Sequence, residues 1–344
     1  MSRLSLKENI RSSAVCKTWH EAAVSVRDPC PWLVYFDIDL SGVTYGFFDP
    51  REKEKTKAMK LTSDLSIYAI ISYSKDGWLL MEDYHEDTKV LVFFNPFTQE
   101  CIKLQSLNAI GAIGTEFAFS CAPTNKSCVV CGISDRTPDH FLIHTWYVGA
   151  CEWETNSFAR PKPLKYYGKK NIIFSDDVFW FPDRGGLGVF DPTARTWNTI
   201  HAPLPDLSPF LRWITEHQGN IFLVDVLSNR RGPGQLVVVF KFNPLRLVWE
   251  RKKTFDGLSI FISDESSIMT YGLKGDINNI VYMWDSHLNS DRPCKYSLYT
   301  NSFCTDLEGY CVESSSTNNE MHYGAWIEPP HNSSIYGFPI TESK

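Results

Sequence analysis

The spacing of apolar residues along this chain changes once, close to residue 30. From Leu6 to Val26 apolar side chains recur three or four residues apart, at Leu6, Ile10, Ala14, Val15, Trp19, Ala22, Ala23 and Val26. That period lays one stripe along a helix. Ser5 followed by Glu8 is an S-x-x-E capping box that starts it, and Asp28-Pro29 ends it, because a residue before proline is pushed out of the helical region. Lys7, Arg11, Lys17 and Glu21 lie off the stripe, and Ser12-Ser13 is a point at which it divides into two shorter helices. Beyond residue 30 the pattern is short apolar or alternating runs between turn residues, which predicts strands. Two covers for the helical stripe stay open: the β region of the same chain, or a groove on another chain.

The strand region repeats. FFDPREKEK (47–55) has relatives in FFNPFTQEC (93–101), VFDPTARTW (189–197) and KFNPLRLVW (241–249), with weaker copies in WYVGACEW (146–153) and YSLYTNSF (296–303). Anchored on Asp49, Asn95, Tyr147, Asp191, Asn243 and Ser297, the copies stand 46, 52, 44, 52 and 54 residues apart. Asp or Asn before Pro ends a strand, since Pro cannot donate to the ladder and the Asx side chain satisfies a nearby backbone amide. Trp, Cys or Phe then opens the next strand in most copies.

Four strands fit most units. In the second they are 67–73, 78–83, 90–96 and 100–104; in the fourth 171–176, 178–183, 186–192 and 196–201; in the fifth 212–218, 220–226, 236–244 and 248–255. Four antiparallel strands in a unit of about 40–50 residues describe a β-propeller blade. The first unit is one strand short, and YGAWIEPP (323–330) has no blade of its own, so the C-terminal piece is expected to complete the first blade. Closing the ring in this way removes exposed sheet edges. The expected fold is all-β, a propeller of about six blades; seven blades stay open if one is degenerate.

Composition narrows the classes. Apolar residues at 43% and charged residues at 22% fit a soluble globular chain. The net charge of −6 argues against an electrostatic nucleic-acid binder. The N-terminus has no apolar core of the signal-peptide kind, and the longest apolar run, LVVVF at 236–240, is too short to cross a membrane. Most of the ten cysteines sit in apolar strand-like runs such as FAFSCAP and CVVCGIS, which reads as free thiols inside a cell, in the cytoplasm or the nucleus.

Candidate chemistry is sparse. In Cys128-Val-Val-Cys131 the valines favour a strand, where positions three apart point to opposite faces, rather than a zinc knuckle. His140 and His144 are four apart, but FLIHTWY (141–147) is strand-like, so they are no helical His pair. Arg184-Gly-Gly-Leu-Gly188 and Arg231-Gly-Pro-Gly234 lack the following helix of a phosphate loop and read as hairpin turns. No G-x-S-x-G or other nucleophile motif occurs. No cofactor or metal is expected. An enzyme reading would require carboxylates or metal ligands gathered around the channel of the ring.

LSLKENIRSSAVCKTWHEAA (4–23) closely resembles the second half of an F-box, with Ser5-Leu6-Lys7-Glu8 at its helix start and Val15-Cys16-Lys17-Thr18-Trp19 at its core. The Asx-Pro turns, the Trp after them and the closing Trp326-Ile327-Glu328-Pro329-Pro330 are similar to the kelch-related propeller of plant F-box proteins. The resemblance implies partial F-box helices over 1–28 and a kelch-like propeller over 31–344. It also implies a Skp-type adaptor as partner and, through it, a cullin–RING (SCF-type) ubiquitin ligase. Leu4, Leu6, Ile10, Val15 and Trp19 would then serve the module's core and adaptor-facing surface. The family opens with a Leu-Pro stretch and a first helix upstream. This chain starts at Met1, four residues before Ser5, so the F-box reads as N-terminally truncated. The implied function is a non-catalytic substrate-recognition subunit that holds a target protein on the propeller loops. Trp213, Arg230, Arg231 and Tyr271 are the candidate target anchors, as aromatic and Arg residues in or beside loops. The alternative is a propeller scaffold or competitive binder that lacks adaptor binding because the F-box is incomplete.

Overall fold

The structure is a computed structural model. It describes Cys16, Thr18, Trp19 and Ala22, and then residues 30–328 apart from 40–41, 51–53, 56–58, 62–64, 67–68, 86–87, 108–113, 136–138, 160–171, 184–185, 206, 208, 210, 229–234, 265, 272–278, 285–292 and 305–322. Of the expected N-terminal helix only Cys16, Thr18, Trp19 and Ala22 are described, the last three with helical backbone; Leu4, Leu6, Ile10 and Val15 lie outside the described residues.

Six sheets form among the described residues. The first holds β1 (Trp32–Asp39), β2 (Gly42–Asp49) and two short outer pieces, β3 (Glu54–Lys55) and β4 (Met59–Lys60), both paired with β2. The second runs β5 (Ile70–Lys75), β6 (Trp78–His85), β7 (Thr88–Asn95) and β8 (Glu100–Lys103). The third runs β9 (Glu116–Phe119), β10 (Val129–Asp135), β11 (His140–Tyr147) and β12 (Glu154–Ala159). The fourth runs β13 (Ile173–Ser175), β14 (Val178–Asp183), β15 (Gly186–Asp191) and β16 (Thr196–Ile200). The fifth runs β17 (Leu211–His217), β18 (Asn220–Ser228), β19 (Gln235–Asn243) and β20 (Val248–Lys252). The sixth holds β21 (Leu258–Ser263), β22 (Ser266–Tyr271), β23 (Ile280–Trp284), β24 (Cys294–Ser297) and β25 (Ser302–Cys304).

The last strand, β26 (Tyr323–Ile327), returns to the first sheet and pairs antiparallel with β1, Trp326 opposite Leu33. One strand of each sheet faces a common axis: β26, β5, β9, β13, β17 and β22 pack side by side in that order, and β22 meets β26 to close the circle. This is a six-bladed propeller whose first blade is completed by the C-terminal strand.

The Asx-Pro turns explain why the repeat exists. Asn95 Oδ1 accepts from the amides of Phe97 and Thr98 at 2.9 and 3.2 Å, and the Gln99 amide closes back on the Asn95 carbonyl at 2.8 Å. Asp191 caps Thr193 and Ala194 in the same way, and Asn243 caps Leu245 and Arg246. Each turn ends on a left-handed residue, with φ of 63° at Gln99, 56° at Arg195 and 55° at Leu247. One short side chain thus satisfies two amides and points the chain into the outer strand.

The core lies between blades rather than in one centre. On β1, Val34 and Phe36 face the second blade while Leu33 and Tyr35 face the sixth. On β6, Leu79 and Met81 face back and Trp78 and Leu80 face forward. Both faces of a blade are covered by neighbours, so inner strands read as unbroken apolar runs.

The sixth blade departs from the expected meander. Ser263 and Ser266 hydrogen-bond across a tight corner, their hydroxyls 2.7 Å apart, and turn the chain so that the second strand of the blade faces the axis. β23 then pairs in parallel with β21. The blade therefore carries five strands rather than four.

Candidate interaction surface

In an antiparallel blade the first and third turns emerge on one face. Tight two-residue turns with both φ positive form the first of these: Asp76-Gly77, Asp176-Asp177 and Gln218-Gly219. Such turns match the strand twist and bring the inner strands to a sharp stop. On this turn face the inner strands end around the axis and make a polar mouth.

Lys75 Nζ donates to the Phe174 carbonyl at 3.1 Å and lies 5.6 Å from that ring, so the second blade reaches the fourth. The Ala122 amide donates to Asp76 Oδ2 at 3.1 Å, and the Asp76 amide meets Glu328 Oε2 at 3.4 Å. Ser175 Oγ donates to Glu216 Oε2 at 3.3 Å. A Cβ on Gly219 would stand 3.3 Å from Asp176 Oδ2, a tight contact, and the φ of 74° there favours glycine. Tyr73 lies among these groups at 7% exposure, its ring edge-on to Phe119. Burial pushes its phenol far up, and the charges of Glu216, Asp76 and Glu328 push it the same way.

Of the expected anchors, Tyr271 is 53% exposed at the end of β22, its ring edge-on to His217 and its hydroxyl 3.4 Å from Gln218 Oε1. Trp213 requires a correction. It is buried in β17, and its indole donates to the Ser263 carbonyl at 3.0 Å, joining the fifth blade to the sixth. The cause is strand alternation: Trp213 shares its side of β17 with residues packed on the next blade. Arg230 and Arg231 lie outside the described residues. Trp19 is 48% exposed. The sequence reading missed Tyr73, Lys75, Asp76, Glu216 and Glu328. The available signal was a polar residue at the end of a run followed by Asp-Gly or Gln-Gly. The outer turn of the fifth blade also shows apolar surface, with Leu245 at 94% exposure beside exposed Leu247 and Val248.

Other titratable groups are enclosed. Cys128 and Cys131 are both buried; Cys128 Sγ donates to the Cys121 carbonyl at 2.9 Å, and burial pushes its thiol up to about 12. Among the described residues no group of three or more His, Cys, Asp or Glu could hold a metal ion. His144 is buried between Ser134 Oγ on Nε2, at 3.0 Å, and Thr155 Oγ1 on Nδ1, at 2.9 Å. Burial lowers its pKa from 6.5 to about 4. Because the folded value lies below the unfolded one, stability is full above about pH 6.5 and falls as the pH drops toward 4. Urea unfolding should show about 2–3 kcal/mol more acid loss over that window than His144→Gln shows. Parallel curves would refute the neutral buried state.

The KIB1-4 β-propeller family matches residues 47–310. An F-box protein of Arabidopsis thaliana is 46% identical over 359 aligned residues, covering 99% of this chain and 73% of the relative. An F-box/kelch-repeat protein of the same plant is 36% identical over 344, covering 96% of this chain and 92% of the relative. Among solved structures, a Desulfotomaculum acetoxidans protein aligns at a TM-score of 0.44 and 9% identity, over 87% of this chain and 99% of its own.

Proposed function

We propose, because this chain belongs to the plant F-box proteins that carry a KIB1-4 β-propeller, that it is a target receptor of a cullin–RING ubiquitin ligase. Residues 1–28 would hold a Skp-type adaptor and the ring over 31–344 would hold the target, in the cytoplasm or nucleus. The polypeptide performs no chemistry in this scheme. A target held on the ring meets the charged ubiquitin donor at high effective concentration, and proximity supplies the rate.

The observation that carries this reading is the pairing of two elements. A Ser-Leu-Lys-Glu…Val-Cys-Lys-Thr-Trp pattern stands directly ahead of a ring whose six inner strands pack side by side to closure. A rigid ring suits recognition, since its turns are held in place by strands buried on both faces.

Retention on an immobilised Skp-type adaptor tests the adaptor half. The chain is expected to bind. Leu6→Ala with Trp19→Ala is expected to weaken binding by at least about tenfold, since apolar helix anchors carry such contacts. Unchanged circular dichroism of the double variant would show that the ring survives. Absence of retention by the unmutated chain would overturn the ligase reading and leave a ring that binds without delivering.

A further inference from the structure

Four unsatisfied acceptors gather where the inner strands end on the turn face. Asp76 Oδ2 and Glu216 Oε2 are engaged by Ala122 and Ser175, while Asp76 Oδ1 and Glu216 Oε1 have no donor among the described residues. The Tyr73 hydroxyl likewise has no hydrogen-bond partner among the described residues, although the side chain is only 7% exposed. His217 Nδ1 sits 3.0 Å from the Met269 carbonyl and so carries the proton. In the neutral ring Nε2 is then an acceptor, and this buried atom has no partner. A buried polar group without a partner costs free energy, and His217 Nε2 is such a group; beside it the Tyr73 hydroxyl and the half-buried Asp76 and Glu216 carboxylates leave further acceptor sites for one donor-rich ligand.

Lys75 does not answer the need: its ammonium lies at the Phe174 carbonyl and ring, and it reaches none of these four acceptors among the described residues. With Lys75 against Asp76 and Glu216, the mouth keeps an excess of negative charge. Tyr271 stands exposed at its rim, an aromatic face against which a planar cation can stack. Several acceptors spread around one opening suit a group with many N–H donors in a plane, which is a guanidinium rather than an ammonium. A chain of net charge −6 also steers basic partners toward itself.

We propose that the axial mouth lined by Tyr73, Asp76, Glu216 and His217 binds an arginine side chain presented by the target protein. The inference rests on the receptor reading for its occupant, but its test needs no adaptor. A failure of adaptor retention and a failure of this site are therefore separate results.

The test is ligand-observed NMR on the full chain with acetyl-Gly-Gly-Arg-Gly-Gly-amide. Saturable binding with a Kd of about 1 mM is expected, as a single charge-assisted contact set supplies little more. Citrulline in place of arginine is expected to abolish it. Asp76→Asn with Glu216→Gln should weaken it about tenfold, and Tyr73→Phe about threefold. Tyr73→Phe removes only a hydroxyl without a partner, so its Tm should not fall; a fall would overturn the placement of that hydroxyl. Equal binding of the citrulline peptide, or unchanged affinity in the folded variants, would sink the site. Tighter binding of free putrescine than of the peptide would overturn the assignment to a protein side chain.

Discussion

Replacing Trp326 with alanine is expected to destabilise the protein by about 3–5 kcal/mol, the range for truncating a buried aromatic side chain. Trp326 is fully buried on the strand that closes the ring. Its ring lies edge-on to Phe261 at 5.1 Å and Tyr282 at 6.0 Å, and its indole donates to the Ile262 carbonyl at 2.9 Å. Alanine would leave a cavity between the first and last blades and a buried carbonyl without its donor. The backbone there is already tight: a Cβ on Gly324 would come 2.7 Å from the Val34 carbonyl oxygen, so strand β26 has no room to shift and refill the space. Net stability of a domain is only about 5–15 kcal/mol, so this one change removes a large share of it. Urea unfolding followed by circular dichroism reads the loss. Trp249→Ala, on a half-buried outer strand, is the comparison and should cost markedly less. Equal costs at the two positions would show that closure by β26 carries no special weight.

A second large effect is expected at Arg212. Its guanidinium clamps the fully buried Asp225 with two bonds, 2.6 Å from Nε and 2.7 Å from one terminal nitrogen, and also donates to the Pro205 carbonyl at 2.9 Å. Burial nevertheless holds the Asp225 carboxyl above its ordinary range, outweighing the pull of Arg212. Arg212→Met should therefore cost about 3–5 kcal/mol at neutral pH, because it orphans a buried charge. The deficit should shrink in acid, since protonation removes the charge that burial penalises. Adding Asp225→Leu should recover all but about 1–2 kcal/mol, as an apolar pair of similar volume replaces both charges. A double variant as unstable as the single one would refute the desolvation argument.

Much of the ring was legible as sequence. The hairpin strands of the fourth and fifth blades fell within a few residues of their predicted bounds, because short apolar runs are bounded by turn residues and the third turn carries Asp-Pro or Asn-Pro. The return of residues 323–327 to the first blade was also legible, from a unit one strand short at one end and a spare strand at the other. The order inside the sixth blade was not. Nothing local distinguishes a strand that goes inward first from one that goes inward second, and the Ser263–Ser266 corner decides it through contacts with the fifth blade. Trp213 was misplaced for a related reason: burial of a strand residue depends on the blade that covers it.

What the chain determines on its own is the unit: a strand period of two, a capped Asx turn, and a left-handed residue after it. These depend on groups within five residues of one another. Tertiary structure alone decided which groups meet at the axis. Ser74 bonds the Trp326 carbonyl across 252 positions, and Asp76 meets Glu328 across the same span. Contacts that distant are set by closure of the ring, which no local pattern encodes, and the acceptor-lined mouth exists only once the six inner strands have come together.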